Sequence, residues 1–160
     1  MKERQNLIII FILIAIWFRL IPHLPNFTPV TSLALFSGVL LQKKWLSMII
    51  PLVAMIISDL VIGFHPISIW VYLGITLITM SGWFTNRINV KSILISSLIF
   101  FIVSNFGVWI LGYPHTIDGI MLCYTMAIPF FGYSILGDLF WGFLFRESYK
   151  LIEKRVLNLA

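Results

Sequence analysis

Arg19-Leu20-Ile21-Pro22-His23-Leu24-Pro25-Asn26-Phe27-Thr28-Pro29 separates two apolar runs, residues 7–21 and 30–41, and its reading decides the fold. Proline has no backbone N–H and clashes with the preceding helical turn, so three prolines in eight residues end one helix before the next begins. The carbonyls they leave without helical donors are tolerable only beside water, protein or a cavity. The stretch therefore reads as a connection at the edge of an apolar layer, with Arg19 at its border.

The rest of the chain repeats this alternation of apolar runs and short polar breaks. Of its 160 residues, 60% are hydrophobic, 16% aromatic and 11% charged, which is too apolar for a soluble domain of this size. A helix needs about 20 apolar residues to cross a bilayer core, and isolated strands cannot satisfy their backbone there. Six segments meet or approach that length, at residues 7–21, 30–41, 45–63, 67–84, 92–112 and 119–145, the second being the shortest. The expected fold is an all-α integral membrane protein, one domain over residues 1–160 built as a six-transmembrane-helix bundle.

Lysine and arginine fall on alternate connections. Lys2 and Arg4, then Lys43 and Lys44, then Arg87 and Lys91, then Arg146, Lys150, Lys154 and Arg155 share one side, and the other side has only Arg19 at a span end. The positive-inside rule then places both termini in the cytoplasm, in a multi-pass plasma (inner) membrane protein. The net charge of +5 comes from these scattered pairs, a topology signal that argues against nucleic-acid binding. The first run lacks a small-residue cleavage site and is expected to be retained. The single cysteine, Cys123, excludes an intrachain disulfide. Residues 146–160 carry Tyr149, Ile152, Val156 and Leu159 at helical spacing, which suits an amphipathic cytoplasmic extension or a simple basic stop-transfer end.

The two halves echo each other. Ile50-Pro51 leads to Ser58-Asp59-Leu60, and Ile128-Pro129 leads to Gly137-Asp138-Leu139, while Asn26-Phe27 and Asn105-Phe106 sit at the same offset as the aspartates. The third and sixth spans run in opposite directions, so a true repeat would be an inverted three-plus-three duplication, a design known in transporters.

Ionisable groups inside a span cost about 2.5–3.5 kcal/mol each on insertion scales and so require a partner or a purpose. Three meet that description: Arg19, Asp59 and Asp138. Arg19 and Asp59 fall at similar depth near the outer end, where they either pair with each other or open a polar site whose guanidinium forks onto a ligand carboxylate or phosphate. Asp138 falls toward the inner side, where Lys43 or Lys44 is its expected partner and a coupling role the alternative. Polar and aromatic residues gather at the outer end, including Asn26, Tyr72, Asn105, Trp109 and Tyr124. An interfacial aromatic belt accounts for Trp70, Tyr72, Trp109 and Tyr113. Asn105 lies inside the fifth span and is expected to pair with another helix or a solute. The candidate site is thus Arg19, Asn26, Asp59, Asn105, Trp109 and Tyr124, with Pro22, His23, Pro25, Pro29, His65, Tyr113 and His115 as lid or rim and Asp138 as an inner polar group. No metal-ligand spacing, nucleotide loop, dinucleotide fingerprint or nucleophile elbow is present, so no cofactor and no enzymatic activity are expected.

The run R-x-I-P-H-x-P-N-F-T-P-V-x-x-L-A-L-F-S-G over Arg19 to Gly38, then I-I-P-L-V-A-M-I-I-S-D-L-V-I-G-F-H, S-N-F-G-V-W, Y-P-x-T-x-x-G and C-Y-x-x-A-I-P-F-F, resembles the bacterial family of unknown function 6580, described as transport proteins. In size, span count and proline-rich connection the chain is also distantly similar to the S component of energy-coupling-factor (ECF) vitamin transporters. That likeness implies a six-helix, S-component-like bundle that takes a small polar or vitamin-like solute from the outer side and works with an energising ECF module. The A-x-x-x-A docking pattern of many S components is not evident, because Ile8 to Leu20 holds only Ala15, although Ser32, Ala34, Ser37 and Gly38 offer small residues for close packing. Two rival expectations stand beside transport by an S component. One is a scaffold of cell-wall assembly similar to the rod-shape protein MreD, and the other an ion or proton carrier using Asp59 and Asp138.

Overall fold

The structure, a computed structural model, describes residues 2–22, 24–85 and 87–158, with side chains described over 8–154 apart from positions 23 and 86. Its elements are α1 (Lys2–Leu20), α2 (Val30–Leu40), α3 (Lys44–Ile62), α4 (Ser68–Gly82), α5 (Val90–Gly112) and α6 (Ile117–Asn158), with no strand among the described residues.

Three helices are long and apolar enough to cross a membrane: α3, α5 and the Ile117–Lys154 part of α6. The apolar stretches of the others are shorter, Ile8–Leu20, Val30–Leu40 and Ser68–Gly82. Six helices form as expected, but length and composition support spanning for three of them. The outer surface agrees with a membrane protein, since Leu13, Trp17, Leu60, Val61, Ile69, Met121 and many other large apolar side chains are exposed on it.

The sequence expectation differs most from the structure at α2. Its 11 residues rise about 16 Å, roughly half a hydrocarbon core. Val30 through Gly38 are all buried, so α2 is a core helix surrounded by the other elements. Its contact with α4 is the most extensive between any two helices. The two backbones meet at Gly38 and Gly82: a Cβ on Gly38 would fall 2.2 Å from the Thr79 carbonyl oxygen. The other small residues of α2 are engaged inside as well, Ser37 donating to the Ser47 carbonyl at 2.9 Å and Ser32 to the Asp138 carbonyl at 3.1 Å. The stripe Ser32, Ala34, Ser37 and Gly38 therefore packs the bundle and is buried from any outside partner.

Aromatic rings close the core around α2. Phe11 stacks on Phe145 at 4.1 Å, and Phe36 meets Phe145 and Tyr149 edge-on. Residues 146–158 continue α6 without a break, and Tyr149 and Ile152 of the sequence stripe pack on this core; the Val156 and Leu159 side chains lie outside the described residues.

The sequence echo does not extend to packing. Within the first half α1 packs on α3, whereas among the described residues α4 makes no contact with α6, which an inverted repeat would require. The two echoed aspartates also have different partners, as the site geometry shows.

Candidate solute-binding cavity

A cavity of about 300 Å³ opens at the end of the bundle that carries the 21–29 connection. Every helix contributes to its wall. Arg19 comes from α1, Asn26 and Thr28 from the connection, Thr31 from α2 and Ser134 from α6, and these supply the polar surface. Met55, Ile62, Val71, Ile75 and Phe100, from α3, α4 and α5, supply the apolar surface. A second cavity of about 250 Å³ adjoins it, sharing Asn26, Val71, Phe100 and Ser134 and adding Ser104 and Asn105.

The connection is fixed by its own chemistry. The Phe27 amide donates to the Leu24 carbonyl, and Asn26 takes φ +59°, a left-handed conformation that asparagine tolerates better than most residues. Phe27 packs against Gly137, where a Cβ would come within 3.0 Å of the Phe27 Cα, and its ring lies 5.8 Å from that of Phe140. Asn26 and Thr28 are thereby held over the cavity. The N-terminus of α2 follows directly, with no side-chain cap and no acidic residue in its first turn. Its amide dipoles present partial positive charge where Val30 and Thr31 line the wall.

Arg19 is the cation of the site. Its Nη2 donates to Asp59 Oδ1 at 2.5 Å, and its Nη1 hydrogen-bonds Met55 Sδ. The Tyr72 hydroxyl donates to the other carboxylate oxygen, Oδ2, at 2.5 Å. Asp59 is 3% exposed and does not line the cavity. It pairs with Arg19, one of the two roles the sequence allows for it, and its carboxyl is not part of the cavity wall. The sequence places Tyr72 in an aromatic belt, whereas its hydroxyl joins α4 to α3, a pairing between helices that leaves no spacing signature. A guanidinium carries five N–H donors, so these partners do not exhaust it.

The remaining candidates divide clearly. Asn26 and Asn105 reach the cavities, though the Asn105 amide donates to the Phe101 carbonyl of its own helix at 2.8 Å and needs no other helix. Trp109 and Tyr124 do not line either cavity: the Trp109 indole donates to the Pro114 carbonyl and the Tyr124 hydroxyl to the Ile102 carbonyl. Of the rim residues, Pro22, Pro25, Pro29, His65, Tyr113 and His115 also stay out of both walls, His115 resting against Trp109 and the Ile110 carbonyl. His23 lies outside the described residues.

Asp138 is placed differently from the expectation. It does not pair with Lys43 or Lys44; Lys44 lies over the Trp83 ring at 5.0 Å. The Asp138 carboxyl accepts from Ser97 Oγ at 2.7 Å and also hydrogen-bonds Thr31. Thr31 and Ser134, one turn before Asp138 on the same helix, both line the cavity, so this buried carboxyl lies just beneath its floor. The four-residue offset from Ser134 to Asp138 was the available sequence signal for that face. Ser97→Ala is expected to cost about 1–3 kcal/mol, the usual penalty for a buried polar group left without its donor. Equilibrium unfolding of the two proteins in detergent measures it, and equal stabilities would show that the Ser97 bond contributes nothing.

A family model described as Family of unknown function (DUF6580) matches residues 1–159. No curated protein and no solved structure matches the chain.

Proposed function

The chain belongs to DUF6580, a family of unknown function, and from that premise we propose that it is an integral membrane protein that takes up a small polar or vitamin-like solute from the outer side, as an S-component-like subunit of a transporter. The observation that carries this reading is a cavity walled by all six helices, with one arginine held ready by a buried acid on its far side.

Both sources of positive potential in the wall, Arg19 and the uncapped start of α2, attract an electronegative group. The solute therefore carries a carboxylate, phosphate or carbonyl-rich end. Val71, Ile75 and Phe100 receive its apolar body, and Asn26 and Thr28 on the connection close over it. Because Asp59 already offsets the arginine, the site favours one such group over several. Release on the inner side follows reorientation of the bundle. Any energising ECF module docks on exposed helix faces, since the small residues of α2 are consumed in the core.

The test is thermal unfolding of purified protein against vitamins and metabolites bearing a single acidic or carbonyl-rich end. At 100 times its dissociation constant a true solute adds about 2.7 kcal/mol of stability. Arg19→Lys, which keeps the charge beside Asp59 but loses the fork, is expected to weaken binding about tenfold or more, and Val71→Trp to abolish it by filling the cavity. If no solute stabilises the wild type, the reading fails. A second reading as a cell-wall assembly scaffold draws on the mutual engagement of Arg19, Asp59 and Tyr72, which needs no ligand. Crosslinking to cell-wall assembly proteins, with no thermal shift from any solute, would favour it.

A further inference from the structure

The opposite end of the bundle holds a larger cavity, of about 580 Å³, that the solute reading does not use. Its floor is apolar, formed by Phe36, Val39 and Leu40 at the end of α2. Its rim is basic, formed by Arg87 from the connection before α5 and by Arg146 and Lys150 from α6, and among the described residues no acidic one lines it.

Three observations give this cavity a chemical preference. The cations come from two separate parts of the chain and face one void, so they are placed to surround one group rather than to repel from separate surfaces. A neighbouring carboxylate, Glu147, is more than half exposed and lies outside the wall, where it takes Arg146 Nε at 3.1 Å and Lys150 Nζ at 2.9 Å. Immediately along the helices, exposed apolar side chains begin: Val90 and Leu94 on α5, Phe143 and Leu144 on α6. The basic rim thus sits where polar surface gives way to apolar surface, the level of a lipid phosphate beside a spanning helix.

We propose that this cavity is a binding site for an anionic phospholipid, whose phosphate is held by Arg87, Arg146 and Lys150 and whose acyl chains run down the apolar faces of α5 and α6. The proposal rests on the membrane reading above but not on the solute. A bound anionic lipid ties the connection before α5 to α6 and to the end of α2.

The test uses the full chain in nanodiscs of phosphatidylcholine with graded phosphatidylglycerol, and counts retained lipid by native mass spectrometry. The wild type is expected to retain phosphatidylglycerol in preference to phosphatidylcholine. About 1 kcal/mol per basic residue near a membrane surface, at 1.4 kcal/mol per tenfold, gives about a fivefold loss for Arg87→Gln or Lys150→Gln and roughly twenty-five-fold for both. Glu147→Gln is expected to tighten retention by freeing Arg146 and Lys150, a gain that a merely structural role for these residues would not produce. Equal retention of the two lipids, or no change in the double variant, overturns the proposal. Displacement of the lipid by millimolar inorganic phosphate would show that a free phosphate is the ligand, and would also overturn it. Failure of the protein to insert into nanodiscs would overturn the membrane reading itself, whereas loss of lipid preference with insertion intact overturns only the lipid site.

Discussion

Arg19→Ala is expected to destabilise the protein by about 3–5 kcal/mol, because it leaves the buried Asp59 carboxylate without its cation, and Asp59→Ala is expected to cost less, because the Arg19 left behind is 18% exposed and faces the cavity. The pair joins α1 to α3, and Tyr72 adds α4 through the second carboxylate oxygen. Removing both charges together is different. Arg19→Met with Asp59→Leu leaves no uncompensated charge and is expected to recover most of the loss, since replacing a buried pair by apolar residues of similar volume is often neutral or stabilising. Tyr72→Phe is expected to cost about 1 kcal/mol, in the range of hydrogen bonds between membrane helices. Reversible unfolding in mixed detergent yields the coupling energy from the double-mutant cycle. Additivity of the two single losses would show that Arg19 and Asp59 do not stabilise each other. The same series separates structure from function, because the Met/Leu double variant keeps the fold while removing the cavity's cation, and is expected to bind no acidic solute.

The second large effect is expected at the crossing of α2 and α4. A Cβ at Gly38 would meet the Thr79 carbonyl oxygen at 2.2 Å and the Gly82 Cα at 3.1 Å, and one at Gly82 would meet the Gly38 Cα at 2.9 Å. These neighbours are backbone, which cannot rotate away as a side chain can. Gly38→Ala therefore forces the two helices apart and is expected to cost about 3 kcal/mol, at the upper end of ordinary overpacking. Gly38→Val should cost more. Gly132 on α6 is the control, since a Cβ there would meet nothing within 4 Å. Gly132→Ala is expected to be neutral or to stabilise by up to about 1 kcal/mol through helix propensity. Should Gly38→Ala unfold at the same denaturant concentration as the wild type, the close crossing would not be a determinant of stability. Because α2 also supplies the uncapped N-terminus and Thr31 at the cavity, a loss here is expected to weaken solute binding with no contact to the solute.

Much of the fold was legible in the chain. The apolar runs, their breaks at proline and the placement of Arg19, Asp59 and Asp138 near run ends follow from local composition, and composition is a one-dimensional property. The helices at residues 2–20, 44–62, 90–112 and 117–158 lie near their expected positions for this reason. The status of the run at 30–41 was not legible, because an apolar stretch of that length is equally compatible with a thinned span and a buried core helix, and only its neighbours distinguish them. The echo around Asp59 and Asp138 shows the same limit. Two similar local sequences take different partners, Arg19 and Tyr72 for one and Ser97 and Thr31 for the other, since partners are set by which helices lie alongside. Trp109 and Tyr124 match the polarity and depth of a site but turn to nearby carbonyls instead. Depth along a helix is legible in sequence, whereas rotation about its axis relative to other helices is not.

The sequence by itself determined the all-helical class, the proline-rich connection as a break, the asymmetry of its basic residues and Arg19 and Asp59 as groups that must be matched, all consequences of what apolar surroundings do to backbone and charge. Only the tertiary structure decided that α2 lies inside the bundle, that Asp59 stands behind Arg19, that Asp138 lies beneath the cavity and that Arg87 meets Arg146 and Lys150 at the far end. Those outcomes depend on how six helices pack around two close glycines, and packing joins residues far apart in the chain whose pairing no local pattern records.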